Sequence, residues 1–398
     1  MAALSSLLLN LYTGPSQLTA APLELTQALE SVQVTRSDQA PSGFQLTFHA
    51  ERTGTSQDEA LLTSPLLKPF SRIAVTVSVA GTATILIDGF ITRQELAPSE
   101  ASGGSTLTIT GEDVSVKMDM MEISLEWPGI TDFLIAEAVL VKYALIGIWP
   151  DVQPTVADLI PFGYVPQQNS TDRCYVQQLA QQHGYLFYIE PGPGLGSNKA
   201  YWGPPVRSGT AQAPLNVDMG PFTNVESINF GYNALAPTLT YGLVQVGVVP
   251  VPVMIGAATR SPALSTSPAL GDYGDLAANP LAFLDNLLSL STRGTLYQHQ
   301  GWNFVQAYTL AQAITNISTD EVVTVEGALD TVRYGAILEA PGLVAVRGAG
   351  TSYDGLYYVK QVTHAISTRL GEWNYKQNFK LTREGVGTTI TSVPPSTS

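Results

Sequence analysis

The sequence predicts an α+β protein, mainly β, on three observations: period-two stretches on both sides of the chain's middle, a central run with helical period, and a composition rich in turn formers and poor in charge. Charged residues make up 13% of the 398 and hydrophobic ones 44%, with 35 glycines and 26 prolines. That charged share is about half the usual one, which fits many short strands and turns and a surface that is weakly charged or covered by partners. A chain of this length divides into two or three domains, because one core rarely serves more than about 250–300 residues.

From Phe44 to Asp119 the pattern is all-β. "FQLTFHAE" alternates, "PFSRIAVTVSVAG" and "TATILIDGFITRQEL" are rich in β-branched residues, and "STLTITGEDVSVKMD" follows a Gly-Gly turn. The short loops fit a small antiparallel barrel or a curled sheet. Then "WPGITDFLIAEAVLVKYAL" spaces Ile130, Phe133, Leu134, Ala138, Val141 and Leu145 near helical period, with Thr131 or Asp132 as cap. A proline-containing connection, "GIWPDVQPTVADLIPFGYVPQ", leads into "QQNSTDRCYVQQLAQQHGYLFYIE". There Ser170 or Thr171 caps a helix with Tyr175, Val176, Leu179, Ala180 and His183 on one side, Gly184 ends it, and "YLFYIE" reads as a strand. The second β-rich stretch begins at "FTNVESINFGYNALAPTLTYGLVQVG", is interrupted by proline-rich loops and helical pieces such as "NPLAFLDNLLSLS" and "WNFVQAYTLAQAITN", and resumes to "NYKQNFKLTREG". "GTATILIDGFITRQELAP" with "STLTITGEDVSV" parallels "YDGLYYVKQVTHAISTRL" with "NYKQNFKLTREG" in order and spacing, an internal duplication.

Nineteen Lys and Arg against 33 Asp and Glu give a net charge of -14, which opposes attraction to nucleic-acid phosphates or anionic membranes. No stretch is long and apolar enough to span a bilayer, and the N-terminal apolar run lacks the basic residues of a signal peptide. The single cysteine, Cys174, makes no internal disulfide.

Cys174 and His183 invite a nucleophile–base reading with Asp172 nearby. On one helix they stand near opposite sides and about 13 Å apart along the axis, at 1.5 Å per residue, too far to pair. Cys174 is expected as a small buried hydrophobe and His183 as a helix-end residue. His49, His299 and His364 are scattered and match no zinc pattern. The "PGPGLGSNKAYWGPP" loop has no following helix to meet a pyrophosphate. Trp127, Trp149, Trp202, Trp302 and Trp373 are spread singly, as core or interface anchors rather than a sugar-binding groove. No catalytic, cofactor-binding or metal-binding residue is assigned, no cofactor is expected, and the chain is read as no enzyme.

"ILIDGFITRQELAP" with "STLTITGEDVSVKMD", the helix "ITDFLIAEAVLVKYAL", "QNSTDRCYVQQLAQQHGYLFYIE" and "GLYYVKQVTHAISTRLGEWNYKQNFKLTREG" together resemble the phage late control protein D family, the hub of contractile tail baseplates, related to the N-terminal half of VgrG proteins. The resemblance covers roughly residues 70–200 and 320–385. It implies two tube-like antiparallel β-barrel domains with a helix-containing α/β middle domain and a helical/loop insertion. The expected bounds are 1–118 for the first barrel, 119–221 for the middle domain, 222–250 and 319–388 for the second barrel, 251–318 for the insertion and 389–398 for a flexible tail. It further implies a homotrimeric structural hub that adapts a sixfold inner tube to a threefold spike, in a phage tail or a tail-like injection particle. The partners would be the inner tube protein, a separate spike or tip protein, baseplate wedge components, and cargo or DNA passing through the channel, with no stable membrane insertion. Assembly would take place in the bacterial cytoplasm, and the finished hub would sit in the virion tail or particle baseplate. A cell-wall-degrading or carbohydrate-binding tail-associated protein is the alternative.

Overall fold

A computed structural model describes residues 7–14, 17–50, 64–99, 105–155, 165–246, 249–254, 262–269, 293–297, 304–369 and 372–389. The chain begins with strand β1 (Leu8–Gly14), a short helix α1 (Leu23–Ala28), and strands β2 (Leu29–Ser37), β3 (Gly43–Ala50), β4 (Arg72–Val79), β5 (Thr82–Ala97) and β6 (Ser105–Asp113). Their order in space is β2-β3-β6-β5-β4-β1, antiparallel throughout. Alternation puts Val32, Val34, Phe44, Leu46, Phe48, Val75, Val77, Leu107 and Ile109 into one buried cluster.

A 3-10 turn at Val114–Asp119 leads to strand β7 (Glu122–Glu126), helix α2 (Asp132–Val141), strand β8 (Ile148–Val152), strand β9 (Gln167–Thr171), helix α3 (Asp172–Gln182), strand β10 (Leu186–Pro191) and strand β11 (Asn198–Gly203). β8, β11 and β10 form one small sheet, and β7 with β9 another. β8 lies inside the stretch expected as a plain connection. Its partner, β11, is parallel and some fifty residues on, which local pattern cannot reveal.

The two helices divide the sequence reading. In α3 the Thr171 hydroxyl accepts from the Cys174 N–H as a side-chain cap, Tyr175, Val176, Leu179 and Ala180 are buried, and Gly184 follows at φ +64°. In α2 the buried face is Ile135, Ala136, Val139 and Leu140, whereas Leu134, Val141 and Leu145 of the expected face are exposed, Leu145 at 99%. This helix is apolar on nearly all sides, so its spacing could not choose the inward stripe. Thr131 stands at the cap position without a side-chain hydrogen bond.

The second β-domain repeats the first. Strand β12 (Gln212–Asn216), strand β13 (Ser227–Tyr232), a three-stranded insert of β14 (Thr238–Val246), β15 (Val249–Met254) and β16 (Arg293–Tyr297), and helix α4 (Phe304–Asp320) come first. Strand β17 (Val323–Asp330), helix α5 (Thr331–Tyr334) and strands β18 (Gly342–Arg347), β19 (Gly355–Arg369) and β20 (Glu372–Arg383) complete it. The order β13-β17-β20-β19-β18-β12 reproduces, strand for strand, the order of the first domain. The one departure is that β12 runs parallel to β18, whereas β1 runs antiparallel to β4. β12 precedes the expected start of this domain at residue 222, and the insert's sheet begins before the expected 251. The helical piece at 279–291, His299, Trp302 and the tail from 390 lie outside the described residues.

The two domains are not separate sheets. The C-terminal half of β19 pairs antiparallel with β2, from Gln361 opposite Ser37 to Ser367 opposite Ser31, so one sheet runs through both. β5 and β19 each carry a bulge before their C-terminal halves, at Thr92 and at Lys360 respectively.

Candidate functional site

The residues that gave the sequence its signature sit at three junctions. At the first, Gly111 stands between Phe44 and the Phe90 backbone: a Cβ there would lie 2.3 Å from the Phe44 Cζ and from the Phe90 carbonyl oxygen. Two residues on, the buried Asp113 carboxylate accepts from the Ser42 N–H (2.7 Å) and the Ser115 N–H (2.9 Å). It thereby fixes the exit from β6 into the middle domain. Burial raises its pKa in spite of these donors.

Across the same boundary, Arg72 on β4 and Asp88 on β5 form a buried bidentate pair, Nε to Oδ1 2.7 Å and Nη2 to Oδ2 2.8 Å. The guanidinium also donates to the carbonyls of Ile146 (3.0 Å) and Gly196 (3.2 Å), and the Asn198 amide donates to Asp88 Oδ2 (3.0 Å). One ion pair thus ties the first sheet to two loops of the middle domain.

At the second junction Gln168, fully buried, donates to Asp172 Oδ1 at 2.7 Å, while the Tyr143 hydroxyl (2.7 Å) and Lys142 Nζ (2.6 Å) reach Oδ2. Arg173 reaches Glu112 (2.8 Å) and Asp119, so α3 is pinned to the end of β6. Gly184 then passes so close to α4 that a Cβ would lie 2.9 Å from the Ala313 Cβ.

The third junction is the seam of β19 on β2. His364, fully buried, faces Tyr375, whose hydroxyl is 2.7 Å from Nδ1, and Gln377 Nε2 is 3.2 Å from the same nitrogen. Two donors on Nδ1 leave the ring proton on Nε2 and the imidazole neutral. Burial, and then the Arg36 charge, hold its pKa down to about 3. Gln377 also bridges the Leu338 backbone, accepting at 3.0 Å and donating at 2.8 Å. Thr35 and Thr363 meet hydroxyl to hydroxyl across the seam at 3.0 Å. At its end Asp38 is buried beside Tyr358 and Lys360, and burial raises its pKa to about 7, partly offset by Lys360. A cavity of about 520 Å³ opens there, between α3, α4 and the seam, lined by Asp38, Tyr185, Ile314, Tyr358 and Lys360 among others.

Cys174 and His183 occupy opposite ends of α3. Cys174 is partly exposed and its Sγ is 3.4 Å from Gln178 Nε2. His183 meets Asp132 Oδ2 at 2.7 Å and lies edge-on to Trp202. This bond joins α3 to the first residue of α2, a partner the sequence did not suggest. Trp202 is fully buried and donates to the Val176 carbonyl (3.1 Å), Trp127 and Trp373 pack against cores, and Trp149 is 55% exposed. His49 is exposed on β3. Among the described residues no group of three His, Cys, Asp or Glu could hold a metal ion, and no helix is long and apolar enough to cross a membrane.

The sequence matches no family model and no curated protein. Solved structures do resemble the fold. The tail protein from Neisseria meningitidis MC58 aligns with a TM-score of 0.62 at 13% identity over 96% of this chain and 98% of that one. The prophage MuSo2 43 kDa tail protein from Shewanella oneidensis aligns at 0.60, with 14% identity over 95% and 99%. A chain of the Francisella PdpA–VgrG complex aligns at 0.56, with 9% identity over 97% of this chain and 54% of that one. The chain therefore has the mainly β fold of phage tail and VgrG-type proteins, over nearly the full length of the first two.

Proposed function

We propose that the chain is a structural, non-catalytic hub of the baseplate of a contractile injection system, in a phage tail or a tail-like particle. The observation that carries this reading is the duplication: two six-strand units of one order, joined edge to edge in a single sheet, give each chain two nearly equivalent wall segments. Three chains then supply six such segments, which matches a sixfold inner tube on one side, while the threefold axis of the trimer matches a spike on the other. The likeness to two solved tail proteins over nearly their whole length supports the same reading.

The exposed apolar side chains Leu134 and Val141 of α2 and Leu145 of the turn after it are suited to burial in a larger assembly, and the low charged fraction fits the same reading. The partners are a second and third copy, the inner tube protein, a spike or tip protein and wedge components. Cargo or DNA passes along the axis, and the hub assembles in the bacterial cytoplasm before joining the particle. Light scattering of the purified chain, alone and with tube and spike proteins, tests this. A trimer, or incorporation into particles as three copies, is expected; a protein that stays monomeric under all these conditions and is absent from isolated particles overturns the reading.

A further inference from the structure

The seam of β2 on β19 is made once within the chain, yet the duplication provides the same two edges a second time, both without a partner strand among the described residues. β5 corresponds to β19 through their bulges, so Arg93 to Ala97 stand where Gln361 to Ala365 stand. In β19 that half holds β2. In β5 the neighbouring strand β4 ends opposite Phe90, and Arg93–Ala97 pair with β6 alone. Leu96, the counterpart of buried His364, is 43% exposed.

The counterpart of β2 is β13. Val34 stands opposite Phe44 on β3 as Phe230 stands opposite Val325 on β17, and Gln33 corresponds to Asn229. β13 pairs with β17 on one side, and Ser227, Asn229 and Tyr232 are exposed.

We infer that the C-terminal half of β5 receives β13 of a second copy of this chain, in the register that β19 uses for β2. Gln94 then lies opposite Tyr232 of the second copy, Glu95 opposite Gly231, Leu96 opposite Phe230 and Ala97 opposite Asn229. The internal pairs transposed are Val362 with Arg36, Thr363 with Thr35, His364 with Val34 and Ala365 with Gln33. Leu96 and Phe230 come together on the inward face, and Phe230 is already held there against Tyr353, with ring centroids 5.1 Å apart. The occupant is another copy because its edge is the duplicate of one that this edge's own duplicate already binds. The contact is heterologous, head to tail, and closes when internal and external seams turn the sheet by equal amounts. Backbone hydrogen bonds provide the attachment, and the inward side chains fix the register.

This rests on the trimeric hub proposed above, and disulfide trapping separates the two. In a Cys174→Ser background, which removes the only cysteine, full-length chains carrying Leu96→Cys with Phe230→Cys, or Ala97→Cys with Asn229→Cys, are oxidised and run without reductant. Consecutive cross-strand pairs alternate between hydrogen-bonded and closer non-hydrogen-bonded sites, so one of the two combinations has the closer geometry. Ala97 and Asn229 are both exposed, which keeps that variant folded. The expected result is a shift from monomer to covalent dimer and trimer that reductant reverses. Arg93→Cys with Asn229→Cys, four residues out of register and about 14 Å apart along the strand at ~3.4 Å per residue, stays monomeric on the same gel. Trimers in light scattering without in-register links, or with stronger links in the displaced pair, overturn the strand pairing and leave the hub reading standing. Monomers on the gel and in light scattering, alone and with tube and spike proteins, together with absence from isolated particles, overturn both.

Discussion

Arg72 grips both carboxylate oxygens of Asp88 from the adjacent strand, and the same guanidinium caps two backbone carbonyls of the middle domain. The pair is almost fully buried, so removing one partner leaves an uncompensated charge. Arg72→Met and Asp88→Leu are each expected to cost about 3–5 kcal/mol in urea unfolding. The double change should cost much less than the sum, because no charge is then left unpaired.

Gly111→Ala drives a methyl into the Phe44 ring and the Phe90 carbonyl. A loss of about 1–3 kcal/mol is expected from overpacking of this kind. Adding Phe44→Leu relieves only the ring contact, so thermal unfolding should show partial, not full, recovery.

His364 gives the stability a pH dependence of known sign. Its folded pKa, about 3, lies below the ordinary 6.5, so the folded protein binds fewer protons than the unfolded chain between those values. Its contribution is fully present above pH 6.5 and is lost as pH falls toward 3, at up to about 1.4 kcal/mol per unit. Unfolding curves of His364→Phe, measured from pH 7.5 down to 4.5 as on ordinary titration windows, should slope less than those of the parent.

Asp38 acts in the opposite sense. Its pKa rises from 3.8 to about 7 on folding, so the folded chain is the one that holds the extra proton. Stability from this group is complete below pH 3.8 and is lost as pH rises to about 7. Asp38→Asn should therefore stabilise the protein at neutral pH by a few kcal/mol, at about 1.4 kcal/mol per pH unit removed. The gain should disappear near pH 4, the ordinary carboxylate range.

Cys174→Ser loses one weak sulfur contact at a partly exposed position. A change within about 0.5 kcal/mol and unaltered assembly are expected. Loss of assembly with an unchanged melting curve would contradict the structural reading of this cysteine.

What the sequence made legible was local. Thr171, Gly184 and the buried stripe of α3 follow from capping chemistry and helical period. The duplicated strand, link, strand pattern was visible because both copies keep the same spacing around a polar turn. Gly111, Gln168 and Asp172 lie in or beside the stretches that carry the resemblance, but their roles could not be read there, since their partners are brought by folding. The α2 face was misread because an almost uniformly apolar helix has no preferred side. The seam was beyond reach: Thr35 and Thr363 are 328 residues apart in sequence, and nothing local marks either strand as the other's neighbour.

That separation also sets a timetable. β2 leaves the ribosome early and its partner β19 near the end, so at about 5–20 residues per second the edge of β2 waits roughly 15–60 s for its mate. During synthesis it is a naked strand on a half-made protein, open to capture by any other nascent copy. Its inward row runs Val32, Val34, Arg36, and the arginine is a charge that a wrong partner would have to bury and that Glu339, at 3.8 Å, answers only in the finished fold. An inward charge of this kind is a known guard against mispairing. A mispaired neighbour would thus have to desolvate this charge with no carboxylate to answer it.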